Sequence, residues 1–360
     1  MRSRSTVALF VVSIVLSGCG GGQGVGTGAV DAARGARHRS TTASPMPSPA
    51  PTPSASPTGS PVPAGRPHGQ GGCSIFPADN VWHADVSRLP VHSRSAAWMG
   101  SIGRTRPVHP DFGSGRIDGE PFGIPITIVP ANPPRTKVTF EYGEDSDRGP
   151  YPLPASALIE GGPNADGDRH VILYDPARCR VHELYDARLE ADGSWRAGSG
   201  AAFDLRSNKL RPAGHTSADA AGLPILAGLV RYDEVAAGRI DHAIRITAPR
   251  TRKQYIWPAR HQAGASDDPA LPPMGARFRL KASVDISRFP RQARVVAEAL
   301  QRYGAILADN GSAWFLSGTQ DARWNNEALG ALKGLRGSDF EAVDAGRLMV
   351  TSNSGTVRRP

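Results

Sequence analysis

Three observations predict the fold class: short β-branched runs bounded by turn residues, an Asp-Gly turn between two such runs, and helical periodicity concentrated late in the chain. Together they predict a mainly β protein, an antiparallel β-sandwich-like single domain with one or two C-terminal helices. The runs fall at 123–129, 137–142, 170–174, 180–185, 243–247, 254–257, 277–280, 305–308 and 314–317. In 180–185 the period of two puts Val181, Glu183 and Tyr185 on one face, with His182 and Leu184 on the other. Asp192-Gly193, between Leu189 and Trp195, has the composition of a hairpin turn. From Pro290 to Tyr303 the residues Ala293, Val296, Ala297, Leu300 and Tyr303 form one apolar stripe. Pro290 suits the first turn of that helix and Gly304 its stop. A shorter helix is expected over 325–335, with Ala328, Leu329 and Leu332 inward, and Asp233 is expected to cap a brief turn through Ala237.

Composition divides the chain into 1–18, 19–72 and 73–360. The first part has Arg2 and Arg4, an apolar run from Val7 to Leu16, and then Ser17-Gly18-Cys19. That run is too short for a permanent membrane span and reads as an export signal. Leu16-Ser17-Gly18-Cys19 resembles the lipobox of bacterial lipoproteins. The resemblance implies cleavage before Cys19 and a diacylglycerol on its thiol, a lipid anchor at the extracytoplasmic side of the cell membrane. Residues 19–72 are rich in Gly, Pro and Ser and lack the apolar residues of a core, so a disordered tether is expected. Its Pro-rich part favours polyproline II at about 3.1 Å per residue. No second low-complexity segment and no internal repeat interrupts 73–360, which supports one β-rich globular domain.

Cysteine usage and charge bound the chemistry. With Cys19 lipidated, Cys73 and Cys179 remain, and an exported domain with two cysteines is expected to join them. They lack the spacing of a zinc site, so no metal is expected. The formal net charge is +9, but six of the 42 basic and one of the 33 acidic residues precede Cys73. That leaves 36 basic and 32 acidic residues in the domain, with no Lys/Arg block, which argues against nucleic acid as a partner.

Several segments then carry a resemblance over nearly all of 73–360: 76–82 (Phe-Pro-Ala-Asp-Asn-Val-Trp), 149–152, 167–170, 183–187, 216–224, 240–243 and 303–311. Together they are similar to a group of exported bacterial proteins without an assigned activity. The resemblance implies export and a single domain, and supplies no catalytic residues.

The strong catalytic signatures are absent. There is no Gly-x-Ser-x-Gly, no His-Glu-x-x-His, no phosphate loop and no dinucleotide fingerprint, and no cofactor is expected. Gly198-Ser199-Gly200 reads as a turn. Asn164-Ala-Asp166-Gly-Asp168 is rich in oxygens but lacks the later bidentate Glu of a calcium loop. His170 and His182 read as core histidines, and 216–219 as a helix N-cap motif. What remains is charge within strand-like segments: Glu183, Asp241, His242 and His261 as catalytic candidates, with Tyr185, Trp195, Trp257 and Arg260 as a substrate platform. A carboxylate pair beside aromatic rings suits a glycosidase, Glu183 pairing with Asp186, Asp219 or Asp241. His242, His261, Arg260 and Tyr185 would instead suit a polysaccharide lyase. The expected target is extracellular or cell-wall polysaccharide; the alternative is a non-catalytic envelope or glycan-binding lipoprotein. Convergence of Glu183, Asp241, His242 and His261 on one cleft would favour the enzyme, and scatter would favour binding.

Overall fold

The computed structural model of the protein describes residues 73–117 and 119–358. The export signal, Cys19 and the tether lie outside the described residues. Along the chain come α1 (Ser95–Ile102), β1 (His109–Asp111), β2 (Arg116–Ile117), β3 (Glu120–Pro121), β4 (Ile126–Ile128) and β5 (Val138–Phe140). Next are β6 (Val171–Asp175), β7 (Arg180–Tyr185), β8 (Arg188–Leu189), β9 (Trp195–Ala197), β10 (Ser199–Asp204), α2 (Tyr232–Ala237) and β11 (Ile244–Ala248). Last come β12 (Arg277–Leu280), α3 (Arg291–Arg302), β13 (Ala305–Asn310), β14 (Phe315–Ser317), α4 (Asn326–Gly330) and β15 (Phe340–Val343). None of these helices is long and apolar enough to cross a membrane.

The architecture is mainly β. A six-stranded sheet has the order β1-β14-β11-β13-β12-β15, and a four-stranded sheet the order β10-β7-β6-β4. A three-stranded sheet, β5-β9-β8, and the small β2-β3 pair complete it. Beside the antiparallel ladders, β1/β14, β11/β13, β4/β6 and β5/β9 run parallel. The four-stranded sheet is buried on both faces, so β6 is apolar at Val171, Ile172, Leu173 and Tyr174 alike. Ile172, Tyr174, Val181 and Phe203 join the main core with Ile246, Phe278 and Leu307. Val171, Leu173 and Leu184 pack the other way against Tyr151, Trp195 and Ala197. The alternation expected in 180–185 is therefore the one observed, and the Asp192-Gly193 turn joins β8 to β9.

Helix α3 follows its apolar stripe: Ala293, Val296, Ala297 and Leu300 are buried. Gly304 ends it at φ +66°, and a Cβ there would meet the Phe278 carbonyl oxygen at 2.2 Å, so only glycine fits. Over 325–335 the Asn325 side chain accepts from Ala328 N, α4 follows, and a 3-10 turn continues at Ala331–Gly334. Cys73 and Cys179 form a disulfide. Three local expectations are corrected. Asp233 does not cap α2; Arg231 holds the cap position, and Asp233 pairs with Arg323 at 2.8 Å. Residues 254–257 form no strand, only a bridge from Tyr255 to Met274, because Pro258 offers no N–H to a ladder. No helix follows 216–219: Ser217 caps the Asp219 N–H locally, leaving the Asp219 carboxylate for another partner.

Candidate active site

The partner is Arg245. In β11 it stands between the buried Ile244 and Ile246, and it is itself buried with Asp219. Nε and Nη2 of Arg245 donate to the two Asp219 oxygens at 2.9 Å each. Nη2 also donates to Asp309 Oδ2 at 3.0 Å, and Nη1 donates to Ser317 Oγ at 2.7 Å. Such a bidentate pair with a third and fourth acceptor is how a buried guanidinium recovers its lost hydration.

Asp309 reaches Arg245 because of an irregularity. Arg245 pairs with Ile306 and Ile246 with Leu307, but Thr247 pairs with Asp309, leaving Ala308 as an extra residue. In an unbroken ladder Ala308 would oppose Thr247, and Asp309 would turn to the face away from Arg245. The bulge also exposes the Ala308 carbonyl, which accepts the Ala221 N–H at 2.8 Å and docks the loop carrying Asp219. One inserted residue thus orients both carboxyl groups.

The neighbouring sheet supplies the facing wall. His170, just before β6, is buried; its Nδ1–H donates to Glu160 Oε2 at 2.6 Å and its Nε2–H to the Ala218 carbonyl at 3.2 Å. Tyr185, at the end of β7, lies with its ring centroid 6.0 Å from that of His170. Asp111 ends β1 on the opposite side and feels the charges of Glu160, Asp168 and Arg245. The side chains of Glu160 and Asp309 keep 26% and 20% of their surface, so one edge of this buried group meets solvent. The backbone is strained beside it, with φ +52° at Arg169 and +46° at Asp186.

The site separates its titratable groups. Burial, then the charge of Asp219, pushes the Asp309 carboxyl well up, and a hydrogen bond to Asp219 keeps the proton on Asp309. Asp111 is exposed at the end of β1, but crowding by protein on its inner side and the charges of Glu160 and Asp168 push its carboxyl up, against the pull of Arg245. Burial opposes charge on the Glu160–His170 pair, but each partner stabilises the other; Glu160 is lowered and His170 rises to about 9. Burial and the carboxylates of Asp168, Asp186 and Asp309 raise Tyr185 to about 12. At neutral pH the site therefore holds a proton donor, ionisable carboxylates and an imidazolium. Among the described residues no three His, Cys, Asp or Glu side chains are placed to hold a metal ion.

Of the residues singled out from sequence as site candidates, only Tyr185 and Asp219, the latter named as a possible carboxylate partner of Glu183, belong to this group. Glu183 is fully buried, and its oxygens accept the Ile225 and Leu226 N–H groups at 2.9 Å. Asp241 is half-buried and pairs with Arg239 at 2.7 Å. His242 is buried between the Ala243 carbonyl and Glu234, and burial lowers its pKa. His261 Nδ1 bonds the Ala220 carbonyl at 2.9 Å. No hydrogen bond or ion pair among the described residues joins the four side chains to one another. Trp195 is enclosed in the small core. Trp257 and Arg260 hold the chain's own C-terminal segment, through Ser354 O, and through Ser352 O and Asn353 Oδ1. Ser199 donates to Ser217 O and is spent on structure. The residues that sequence reading missed are Asp111, Glu160, Arg245 and Asp309. Only Arg245 left a readable signal: a charge between two isoleucines of a buried strand must have a partner.

Comparison with protein-family models, with characterised proteins and with solved structures finds no match to this chain.

Proposed function

We propose that the chain is an extracytoplasmic protein held to a membrane by a lipid on Cys19, and that its domain is a general acid–base enzyme on extracellular or cell-wall glycan. The observation that supports this reading is a partly exposed carboxyl group, Asp309, bound to the buried Arg245–Asp219 pair and raised well above its usual range, with the raised carboxyl of Asp111 also feeling the Arg245 charge. Two carboxyl groups with separated proton affinities are what glycoside cleavage uses, one as acid and one as base or nucleophile. Asp309 takes the acid role and Asp111 the second. Arg245 spends four of its five N–H donors on Asp219, Asp309 and Ser317, and the Asp219 carboxylate already balances its charge, so it is poorly placed to neutralise a uronate. With Asp111, Glu160 and Asp168 also at the site, a glycosidase on uncharged sugar fits better than a lyase. The alternative, a non-catalytic glycan or envelope binder, draws on the separation of Glu183, Asp241, His242 and His261 into local networks.

Two experiments test the proposal. The exported protein is incubated with envelope and plant polysaccharides while reducing ends and unsaturated uronates are followed. Turnover is expected to rise with pH as the raised Asp111 carboxyl ionises, and Asp309→Asn to lower kcat by roughly 10²–10⁴-fold. Absence of product from every glycan removes the enzymatic reading. Separately, Cys19→Ser is expected to release the protein from membranes into the aqueous phase of a detergent partition; unchanged attachment removes the lipid anchor.

A further inference from the structure

Both sides of the site run back to a common kind of feature at their other ends. On β7, Tyr185 is at the site and Cys179 precedes the first residue, six residues or roughly 20 Å away at about 3.3 Å each. Cys179 is bonded to Cys73, where the described chain begins. Cys73, the first described residue, is therefore fixed at the end of that sheet away from Tyr185. On β1, Asp111 is at the site, and the strand is preceded by Arg104, Thr105 and Arg106.

Those residues meet a second basic segment. Ser338 N donates to Arg104 O at 2.8 Å, and Gly337 N to Arg106 O at 3.0 Å. Arg336 Nη1 donates to Thr105 O at 2.9 Å, and Lys281 Nζ to Ser338 O at 2.6 Å. The turn at Gly337–Asp339 is thus bonded by the Arg336 and Lys281 segments and by the backbone of Arg104 and Arg106. The Arg104 guanidinium itself reaches Ala96 O at 3.1 Å. Four basic residues therefore lie in the segments that meet at this turn. Arg104, Arg106 and Arg336 are exposed, and none of the four has an ion-pair partner among the described residues. The one carboxylate of the turn, Asp339, is engaged by the Arg336 N–H. In a domain of nearly balanced charge, this is a concentration of unpaired positive charge at the strand end away from the site.

We propose that this basic turn rests on the anionic headgroups of the membrane that holds the chain, so that the site faces away from the bilayer. The inference rests on the lipid-anchored reading and is independent of catalysis. Each basic side chain brought to an anionic surface strengthens binding roughly five-fold, and the anchor raises the local concentration of that surface. A soluble polyanion would meet the same charges but gives no reason for the turn and Cys73 to lie at the ends of their sheets remote from the site.

The test uses the full lipidated chain on vesicles of phosphatidylcholine alone, or of phosphatidylcholine with phosphatidylglycerol, each with a trace of dansyl-labelled lipid. Energy transfer from tryptophan reports approach of the domain; Trp314, whose Nε1 donates to Gly103 O, lies beside the patch. The chain is expected to float with both vesicles and to show higher transfer on the anionic ones. Raised salt should close that gap. So should Arg104→Gln/Arg106→Gln/Arg336→Gln, while Arg148→Gln/Arg250→Gln/Lys253→Gln should keep it. Equal transfer on both vesicles, or a gap insensitive to salt, overturns the proposal even if the patch variant fails to fold. A gap surviving in the folded patch variant also overturns it. Equal transfer on the two vesicles together with binding of soluble polyphosphate reassigns the patch to a polyanion. Flotation with neither vesicle overturns the anchor and the orientation together. Flotation with the anionic vesicles alone supports the patch while removing the lipid.

Discussion

Arg245 is an electrostatic risk, because a buried guanidinium and two carboxyl groups are tolerable only together. Burial disfavours its charge, yet Asp219 and Asp309 hold it ionised more firmly than usual. Removing one member strands the others: Arg245→Met is expected to cost about 3–5 kcal/mol, read from urea denaturation. Arg245→Met with Asp219→Leu and Asp309→Leu should recover most of that stability, since replacing a whole buried ionic group by apolar side chains is often neutral. A triple variant as unstable as the single one would show that the network is not the source of the loss.

At the scale of elements, Glu183 fastens β7 to the 3-10 turn at Leu226–Gly228 by accepting two of its orphan N–H groups. This explains a buried acid without a cation, and it has a pH consequence. Burial pushes Glu183 up to about 7, only partly offset by the Leu226 and Ile225 N–H groups. Between about pH 4.5 and 7 the folded state holds a proton that the unfolded chain has lost. Stability therefore falls as pH rises across that window, by about 3 kcal/mol from this group. His170, raised to about 9, adds a further loss as pH rises from 6.5 through 9. On the acid side His182, lowered to about 4 by burial and Arg180, costs stability as pH falls from 6.5 through 4. Glu183 and His182 offset one another between about pH 4.5 and 6.5, so the denaturation midpoint is expected to be level there and to fall above it, and Glu183→Gln to make stability rise with pH between about 5 and 6.5. An unchanged slope in that variant would count against the account. Here part of the pattern was legible: alternation placed Glu183 on the face of Val181 and Tyr185, but it could not distinguish a backbone staple from a catalytic acid.

For the whole molecule, the Cys73–Cys179 bond joins the start of the domain to the β6–β7 turn across 106 positions. A loop of that length is worth about 4–5 kcal/mol in the chain-entropy description. Cys73→Ser/Cys179→Ser is expected to lower the urea midpoint accordingly; a loss below about 1 kcal/mol would mean that the ends are held by packing alone. The C-terminal segment closes the same region without covalent help. Asn80 bridges Thr356, and Asn208 bonds Asp79 and Thr356. Trp257 and Arg260, which composition suggested as a sugar platform, hold that segment instead.

By itself the sequence determined what depends on neighbours along the chain: the mainly β character, the two faces of 180–185, the Asp192-Gly193 hairpin, α3 with its glycine stop, and the short helix behind Asn325. These rest on periods of two and 3.6 and on turn and cap chemistry, all local. The tertiary structure alone decided which charged residues meet. Asp111, Glu160, His170, Asp219, Arg245 and Asp309 lie on separate segments, brought together by two facing sheets, by parallel pairings and by the bulge at Ala308. A one-residue register shift reverses the face of a side chain while leaving composition and hydrophobic pattern almost unchanged, so no local period records it.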